Sequence, residues 1–505
     1  MTIINPDIVD HFIQLSGPLF EDVQQSGIFQ DSKTFVDSTP KTDPQKILER
    51  YQELKTRSSF NLKAFVYEHF KVPGENESDT LPTGGSMEEH IDQLWNYLSH
   101  SPFDQHTDFN TLIPLPYPYV VSAGRFQEIY YWDSYFIAEG LASAGRLEMV
   151  QNIARNFCWL IKKIGHVPNS NRYYSISRSQ PPVLSLIIDI IAREQGIESI
   201  NKFIQSLEQE YNFWMQGSNS LTNDKAYRRV VNIDGHLLNR YWDDRPLPRE
   251  ECWKEDIELV ANLDFTQSRE HYRDLRAAAE SGWDFSSRWF QDGKRMSSIH
   301  TTDILPVDLN TLLHFQETKL STWATGTQSE QYAEAAKQRK NIFNLFFWNN
   351  SKGYYFDFDW RKHKQTETWS LAGVYPLFTG LASQRQAELV ADHLEDKFLK
   401  NGGLVTSLQK TGQHWDDPYG WAPLQWIAVR GLQRYGYNEL ARKIILRWFD
   451  LNKSVYHRTG KMMEKYNVCD LNLKAGGGEY PYQDGFGWTN GVIVALGDLL
   501  HAKNK

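Results

Sequence analysis

The stretch WDSYFIAEGLAS at 132–143, followed after Ala144-Gly145 by RLEMVQNIARNFCWLIKKI at 146–164, indicates the architecture of the chain. In both segments apolar residues recur every three or four positions, which is the spacing of a helix with one buried face. Because so few residues separate the two segments, the helices must run antiparallel. The stretch therefore predicts a helical hairpin.

The same spacing returns along the chain, and the strict alternation typical of strands is rare. About six antiparallel pairs could close into a ring of inner and outer helices, so we predict an all-α fold. The other predicted pairs are 181–195 with 197–217, 305–327 with 329–349, 368–381 with 384–396, and 420–436 with 438–456, while 256–281 and 488–503 fill out the set.

Two regions interrupt this helical spacing. The segment GENESDTLPTGGS at 74–86 is polar and rich in turn residues, so we expect residues 1–86 to be an N-terminal arm. This arm would pack on a main body of residues 87–505, in a single domain overall. The segment KGYYFDFDWRKHKQTE at 352–367 alternates aromatic and polar residues and predicts a small β-hairpin.

The composition argues against several classes of partner. The formal charge is -9 and no basic stripe is present, which disfavours nucleic acid. No uncharged apolar run reaches the about 18 residues that cross a membrane. The N-terminus MTIINPDIVDHFIQLSGPLF lacks a basic region, and Asp7 and Asp10 interrupt its apolar part. We expect a cytoplasmic protein, with a periplasmic one as the alternative if a leader was removed.

Aromatic residues are unusually frequent, at 14% of the chain with 17 Trp and 25 Tyr. Most of them are expected to pack the core. The remainder matter because flat aromatic rings complement the C–H faces of sugars, while carboxylates, Arg and Asn bind the hydroxyls. A neutral polyol is therefore a plausible ligand.

The dipeptide Trp-Asp occurs four times, where composition alone would give about one. An aspartate that caps a helix, with the preceding tryptophan packed on the first turn, would explain any single case. It explains the group less well, because each dipeptide lies in a dense cluster of polar and aromatic residues. The clusters are GRFQEIYYWDSY, NRYWDDRPLPREE, AESGWDFSSRW and HWDDPYGWAP.

One of these aspartates, Asp284, has the surroundings of a proton donor. Glycosidic cleavage needs a carboxylic acid that protonates the leaving oxygen, and a carboxylate that attacks the sugar or activates water. Burial of Asp284 against Trp283 and Phe285 would disfavour the charged form and raise its pKa. A capping role for Asp284 remains equally open at this point.

Three carboxyls are candidate partners of Asp284: Glu464 in KMMEKYNVCD, and Glu479 and Asp484 in GGGEYPYQDGFGWTNG. Taken alone, Glu464 is explained more simply as a solvated charge beside Lys465. The glycines at 476–478 lack the Gly-Lys-Ser/Thr of a phosphate loop, so a mobile loop over a pocket is the better interpretation.

Neither a metal nor another cofactor is expected. The sequence contains no H-E-x-x-H, C-x-x-C or G-x-S-x-G motif. Two Asp-Asp pairs, 243–244 and 416–417, lack the third carboxylate of an Asp-Asp-x-x-Asp magnesium site. Cys158, Cys252 and Cys469 are widely spaced, which disfavours a disulfide framework or a zinc site.

Taken together, the clusters resemble trehalase of glycoside hydrolase family 37. GRFQEIYYWDSY at 124–135 looks like the first family signature, normally opened by Pro-Gly-Gly-Arg-Phe. WDDPYGWAP at 415–423 looks like the second, normally opened by Gln-Trp-Asp. Further stretches that look like family sequence are GPLFEDVQ, DSKTFVD, RSQPP, SGWDFSSRW, EKYNV and GGGEYPYQDGFGWTNG.

The resemblance implies an (α/α)6 toroid that hydrolyses α,α-trehalose to two glucose molecules, with inversion and without a metal. It implies Asp284 as the general acid and Glu464 as the general base. We expect a monomer whose only partners are trehalose and glucose. The positions that match sugar-contacting residues of the family are Arg125, Trp132, Asp133, Asn169, Arg178, Ser179, Gln180, Arg249, Glu251, Gly282 and Glu479.

The sequence departs from the family pattern at four positions, none of them presumed to be catalytic. Ser122 and Ala123 stand where Pro-Gly is usual, and His414 stands where Gln is usual. Glu250 replaces a Pro beside Arg249. Its extra carboxylate could disturb that arginine.

Two alternative functions remain open. One is another inverting glycosidase on the same helical ring that acts on a different short α-linked sugar, since a fold does not fix its substrate. The other is a catalytically silent sugar-binding protein. The presence of both Asp284 and Glu464 argues against the second alternative.

Overall fold

The computed structural model describes residues 6–74, 84–102, 109–124, 126–472 and 485–501. Helices dominate these ranges, and among them none has an apolar run long enough to cross a membrane. The α-helices are α1 (Pro18–Ser26), α2 (Lys33–Val36), α3 (Pro44–Leu54), α4 (Leu62–His69), α5 (Met87–Tyr97), α6 (Asp133–Ser143), α7 (Leu147–Ile164), α8 (Leu184–Gln195), α9 (Asn201–Trp214), α10 (Trp253–Leu259), α11 (Phe265–Ser281), α12 (Val307–Trp323), α13 (Thr327–Phe346), α14 (Tyr375–Thr379), α15 (Gln384–His393), α16 (Ala422–Arg434), α17 (Asn438–Thr459) and α18 (Gly487–His501).

Six of these helices form a closed inner ring. Each helix packs on the next one, in the order α6, α8, α12, α14, α16 and α18, and α18 returns to α6. At the closing contact a Cβ on Gly140 would lie 2.2 Å from the Gly491 Cα, so only glycine allows this approach. The ring confirms the predicted (α/α)6 toroid.

The helices α7, α9, α13, α15 and α17 each follow an inner helix and complete its hairpin. Their sequences explain this position, because each carries one apolar face. In α7, for example, Val150 and Phe157 are buried while Lys162 is exposed. An outer helix of this kind covers the ring with its apolar side and meets solvent with its charged side.

Two predicted helices differ from the structure. The first half of 368–381 is not α-helical, because α14 has Pro376 in its first turn and proline lacks the N–H that an earlier turn would need. The predicted helix 256–281 is broken into α10 and α11. Asp264 starts α11 through a capping box, in which its Oδ1 accepts from the Gln267 backbone N–H at 2.9 Å.

All strands are short and lie in the connections between helices. The predicted hairpin at 352–367 is only partly correct, because β11 pairs with β12 and also with the distant β8. The strands are β1 (Thr39–Pro40), β2 (Phe70–Lys71), β3 (Ser99–His100), β4 (Tyr119–Val120), β5 (Lys225–Tyr227), β6 (Val230–Ile233), β7 (His236–Asn239), β8 (Ile304–Leu305), β9 (Trp348–Asn349), β10 (Tyr354–Tyr355), β11 (Phe358–Asp359), β12 (Lys364–Gln365), β13 (Leu399–Lys400), β14 (Gly403–Leu404), β15 (Tyr419–Gly420) and β16 (Tyr466–Asn467).

The three-stranded sheet β5–β6–β7 was not predicted, although a local signal was available. Asp234 and Gly235 connect β6 to β7, and both have positive φ, at 51° and 80°. This is the Asp-Gly turn that joins two antiparallel strands most tightly. The β-branched run before it, Val230 to Ile233, completes the hairpin signal.

The N-terminal helices α1 to α4 surround a small core of their own. It contains Val23, Phe35 and Tyr51 from the arm and also Tyr174 from the main body. The arm is thus packed on the main body through a shared apolar core. The predicted boundary at residue 86 stays a prediction, and most of the segment 74–86 lies outside the described residues.

Candidate active site

A cavity of about 410 Å³ lies where the N-terminal ends of α6, α16 and α18 meet. Its size is in the range of pockets that enclose small ligands. Both polar and aromatic side chains line it. The loops that precede or follow the ring helices supply most of these side chains, as is common where a rigid scaffold carries a binding site.

Four carboxyls line this cavity: Asp133, Asp284 and Glu464 on one side, and Glu251 on another wall. Asp133 begins α6 and is buried, and the Ser122 hydroxyl donates a hydrogen bond to its Oδ1 at 3.0 Å. Burial raises the pKa of Asp133 to about 7, and the negative charges of Glu464 and Asp284 add to this while Ser122 opposes it. The electrostatic effect on Asp133 indicates that both Asp284 and Glu464 lie near it.

Asp284 itself is exposed to the cavity, so the expectation of a buried carboxyl is wrong. Trp283 and Phe285 are buried as expected, Trp283 in the core and Phe285 beside the cavity, but the side chain between them stays exposed. In a non-helical stretch, neighbouring side chains point to different sides. The capping role is also wrong, because Ser286 caps the following short helix with its own hydroxyl.

The loop that carries Asp284 is held by the segment 415–421. Asp416 accepts hydrogen bonds from the Ser286 hydroxyl and from the Ser287 N–H and hydroxyl, at 2.8 to 2.9 Å. The Trp415 N–H donates to the Phe285 carbonyl at 3.1 Å. A buried carboxylate that accepts several hydrogen bonds fixes the geometry of the loop around it.

Glu464 is presented by the loop between α17 and α18. Its backbone carbonyl accepts from the Trp488 indole N–H at 2.9 Å, and its carboxylate lies 2.9 Å from the Lys465 ammonium. The side chain is 33% exposed and faces the cavity. Glu464 therefore does lie beside Lys465, as its simpler explanation assumed, but the pair is at the cavity and not on the outer surface.

The segment 415–421 also touches this second loop. Strand β15 within it pairs with β16, which places Tyr419 opposite Asn467. One segment therefore contacts both the loop of Asp284 and the loop of Glu464, and fixes their relative position.

On another wall of the cavity, the buried Arg178 forms an ion pair with Glu251, which is 13% exposed. The Arg178 Nη2 donates to Glu251 Oε1 at 2.7 Å. Burial opposes the ionisation of Glu251, but Arg178 and Arg249 outweigh it and hold its pKa below the ordinary value. Arg178 Nε and Glu251 Oε2 have no hydrogen-bond partner among the described residues. Such unsatisfied donors and acceptors suit a ligand with hydroxyl groups.

Arg249 also lines the cavity, and Asp256 holds it in place. Its Nε and Nη2 donate to the two Asp256 oxygens at 3.0 and 2.7 Å. The neighbouring Glu250 points elsewhere, because it pairs with Arg276 at 3.1 Å and Arg245 at 3.6 Å. The expected disturbance of Arg249 by Glu250 is therefore absent.

Four further predicted residues line the cavity: Trp132, Asn169, Gln180 and Gly282. The Gln180 Oε1 accepts from the Trp132 N–H at 3.0 Å, and the Asn169 amide donates to the Ala279 carbonyl at 3.1 Å. Gly282 ends α11 with a φ of 74°. These contacts link the ends of α6 and α11 to the loop before α8.

Ser179 is the exception among the described candidates, because it does not line the cavity. Its hydroxyl donates to the Val167 carbonyl at 2.6 Å and its N–H donates to Glu280 at 2.7 Å. Two more candidates, Arg125 and Glu479, and the alternative partner Asp484 lie outside the described residues.

Several cavity residues were not singled out by sequence reasoning. Trp415 and Trp421 stack at 3.9 Å between ring centroids, and Trp488 meets them edge-on. The signal was available, because all three lie in motifs that resemble family sequence. His414 also lines the cavity, where burial and the nearby Lys465 lower its pKa to about 4.

Among the described residues no group of three or more His, Cys, Asp or Glu side chains is arranged to hold a metal ion. Cys158, Cys252 and Cys469 are in the reduced, thiol form.

A closed ring of six inner helices covered by outer helices, with carboxyls and stacked tryptophans in a cavity at one rim, defines an (α/α)6 glycoside hydrolase. The chain belongs to the trehalase family, whose model, described as Trehalase, matches residues 27–500. It is thus a glycosidase that hydrolyses trehalose, as the sequence resemblance implied.

Solved structures share this fold. The neutral trehalase Nth1 from Saccharomyces cerevisiae superimposes with a TM-score of 0.63 at 24% identity, covering 77% of this chain and 74% of that one. A GH63 mannosylglycerate hydrolase from Thermus thermophilus, in complex with glucose, has a TM-score of 0.53 at 16% identity, covering 81% of this chain and 99% of that one. At these identities the likeness concerns the fold alone.

Proposed function

We propose that the cavity hydrolyses α,α-trehalose with inversion, using Asp284 as the general acid and Glu464 as the general base. Asp284 would protonate the bridging oxygen while Glu464 deprotonates a water that attacks the anomeric carbon from the opposite face. The observation that carries the proposal is that these two carboxyls, far apart in sequence, face one cavity.

The surroundings of the two carboxyls suit these roles. The Lys465 ammonium lies 2.9 Å from the Glu464 carboxylate and can hold it in a fixed orientation at the cavity. Asp284 lies close enough to Asp133 to act on it electrostatically, and both side chains face the cavity. The shared support of both loops by 415–421 would keep the two groups at a constant separation.

The other cavity residues are suited to hold the sugar. Arg178, Glu251 and Arg249 provide charged hydrogen-bonding groups for vicinal hydroxyls. The tryptophans around Trp132 offer apolar surface to the C–H faces. We propose that Asn169, Gln180 and Gly282 complete this binding surface, and that Arg125 and Glu479 belong to it as their family match implies.

The stereochemistry is tested by proton NMR of the products at early times. Inversion at one anomeric carbon releases one β-glucose and one α-glucose from each trehalose. Two α products would contradict inversion. Maltose serves as the control substrate, and we expect no glucose release from it.

The roles of the carboxyls are tested with Asp284→Asn and Glu464→Gln. Each variant should lower kcat by roughly 10²–10⁴-fold with the fold retained, because each removes one proton transfer. The control is Glu439→Gln, which changes an exposed carboxyl of α17 and should leave kcat unchanged. Turnover at the wild-type rate in either variant would remove that residue from the mechanism.

We propose further that the protein is a cytoplasmic monomer. The three reduced thiols are compatible with a reducing compartment. Cell fractionation tests the compartment, and light scattering of the purified protein tests the monomer. A periplasmic fraction or a dimeric mass would contradict the respective part of this proposal.

A further inference from the structure

The motif DSKTFVD at 31–37 has no role in the mechanism described so far, yet one of its residues reaches the cavity. Lys33 lies in α2 of the N-terminal arm, is 2% exposed and lines the cavity. A lysine buried to this degree needs partners for its charge. The identity of those partners indicates what it does.

The Lys33 ammonium makes three hydrogen bonds. It donates to Asp37 Oδ2 at 2.7 Å, to Glu128 Oε1 at 2.7 Å and to the Tyr174 hydroxyl at 2.8 Å. An ammonium group has three N–H donors and no acceptor. Since all three donors are used, Lys33 has none left for a sugar hydroxyl and must act through its partners.

These partners belong to three separate parts of the chain: the arm, the segment before α6, and the segment before α8. Glu128 is completely buried and also accepts from the Tyr130 hydroxyl at 3.0 Å and from Arg172 Nε at 3.0 Å. Two cations and two carboxylates, Lys33, Arg172, Asp37 and Glu128, therefore balance one another inside the protein.

This network lies directly behind one wall of the cavity. Phe126, Tyr130 and Tyr174 form the wall, and each of them contacts the network. The Lys33 ammonium lies 5.6 Å from the centroid of the Phe126 ring, and Tyr174 donates to Asp37 Oδ1 at 3.0 Å. A rigid aromatic wall presents a fixed surface to a sugar ring.

We propose that Lys33 is a positioning residue that fixes the aromatic wall formed by Phe126, Tyr130 and Tyr174, and so makes the N-terminal arm part of the substrate-binding site. The inference rests on the proposed function in one respect, namely that trehalose binds in this cavity. The wall contributes to binding and leaves the bond-breaking carboxyls untouched.

The test is Lys33→Met, which keeps the apolar length of the side chain and removes the ammonium. KM for trehalose should rise by about tenfold while kcat stays within about threefold, because uniform binding is lost and the chemistry is not. The control is Ser32→Ala. Ser32 precedes Lys33 in the chain, and its hydroxyl donates to Glu255 Oε2 at 3.0 Å, a hydrogen bond that also joins the arm to the main body. Ser32→Ala removes this bond. This control should keep the wild-type KM.

A folded Lys33→Met with the wild-type KM, or one that loses kcat and not KM, would overturn the proposal. If Lys33→Met does not fold, Tyr174→Phe replaces it, since it removes only the hydroxyl that accepts from Lys33. Its KM should rise by about threefold, and an unchanged KM would overturn the proposal equally. Thermal unfolding of every variant checks that the fold is retained.

Calorimetry separates this inference from the proposed function. Trehalose should bind Glu464→Gln without turnover. Adding Lys33→Met to that variant should raise the Kd for trehalose by about tenfold. Normal turnover in Glu464→Gln contradicts the proposed base and leaves the KM test of Lys33 intact. An equal Kd with and without Lys33→Met contradicts only the role of Lys33.

Discussion

At the scale of single residues, Gly282 connects backbone geometry to the cavity. It ends α11 in the left-handed region, at a φ of 74°, where a side chain is unfavourable. A Cβ at this position would also lie 2.8 Å from the Trp132 ring. Glycine is needed for both reasons. The second reason concerns the cavity, because Trp132 lines it.

We predict that Gly282→Ala lowers the free energy of unfolding by more than the roughly 1–2 kcal/mol that a left-handed alanine costs. It should also raise KM, because Trp132 must move. The control is Gly460→Ala, which ends α17 at a φ of 68° with no atom within 4 Å of the added Cβ. Chemical denaturation and steady-state kinetics measure both effects. Equal stability loss and equal KM in the two variants would contradict the prediction.

At the scale of elements, the segment 415–421 holds two loops at once. Asp416 binds the loop of Asp284, and β15 pairs with β16 beside the loop of Glu464. Because the two candidate catalytic carboxyls are fixed by the same segment, a change at Asp416, which does not line the cavity, should affect catalysis more than substrate binding.

We predict that Asp416→Asn lowers kcat by roughly 10–100-fold with little change in KM. An amide cannot accept from all the donors that surround Asp416, so the Asp284 loop shifts, and a small misplacement is costly for the chemistry. The control is Ser407→Ala, which removes one donor to Asp416, at 2.6 Å, without touching the Asp284 loop. Steady-state kinetics on trehalose measure kcat and KM separately, and an unchanged kcat would contradict the prediction.

At the scale of the whole molecule, closing the ring buries ionisable groups between its helices. Glu210 of α9 is completely buried, accepts from the Tyr131 hydroxyl, and accepts from the Gln316 amide at 3.2 Å. Burial raises its pKa from 4.5 to about 8, although both hydrogen bonds oppose the shift. The folded protein therefore holds this carboxyl protonated at neutral pH.

A raised pKa in the folded state makes stability fall as pH rises. The stabilisation is complete below about pH 4.5 and is lost progressively up to about pH 8. We predict that Glu210→Gln, which is neutral at every pH, flattens this part of the dependence of Tm on pH and has the higher Tm at pH 9. The control is Glu270→Gln at an exposed site of α11. Parallel Tm curves for wild type and Glu210→Gln would contradict the prediction.

The sequence by itself determined the helical hairpins and the motifs of the active site. Helical spacing with short breaks is local, so 132–164 could be recognised as a hairpin without its neighbours. The cluster around Asp284 was recognised because polar and aromatic residues crowd together there, whereas Glu464 was identified only through the family resemblance of its motif. The turn Asp234-Gly235 is equally local, since the Asp-Gly dipeptide itself favours a hairpin.

Only the tertiary structure decided which of these residues meet. Contacts between segments distant in sequence leave Asp284 exposed and place Ser179 outside the cavity lining. They also pair Glu250 with Arg276. The position of Lys33, which belongs to the arm and lines the cavity, also depends on contacts between distant segments. A sequence pattern reports the preferences of one segment, whereas burial and ion pairing depend on what packs against it.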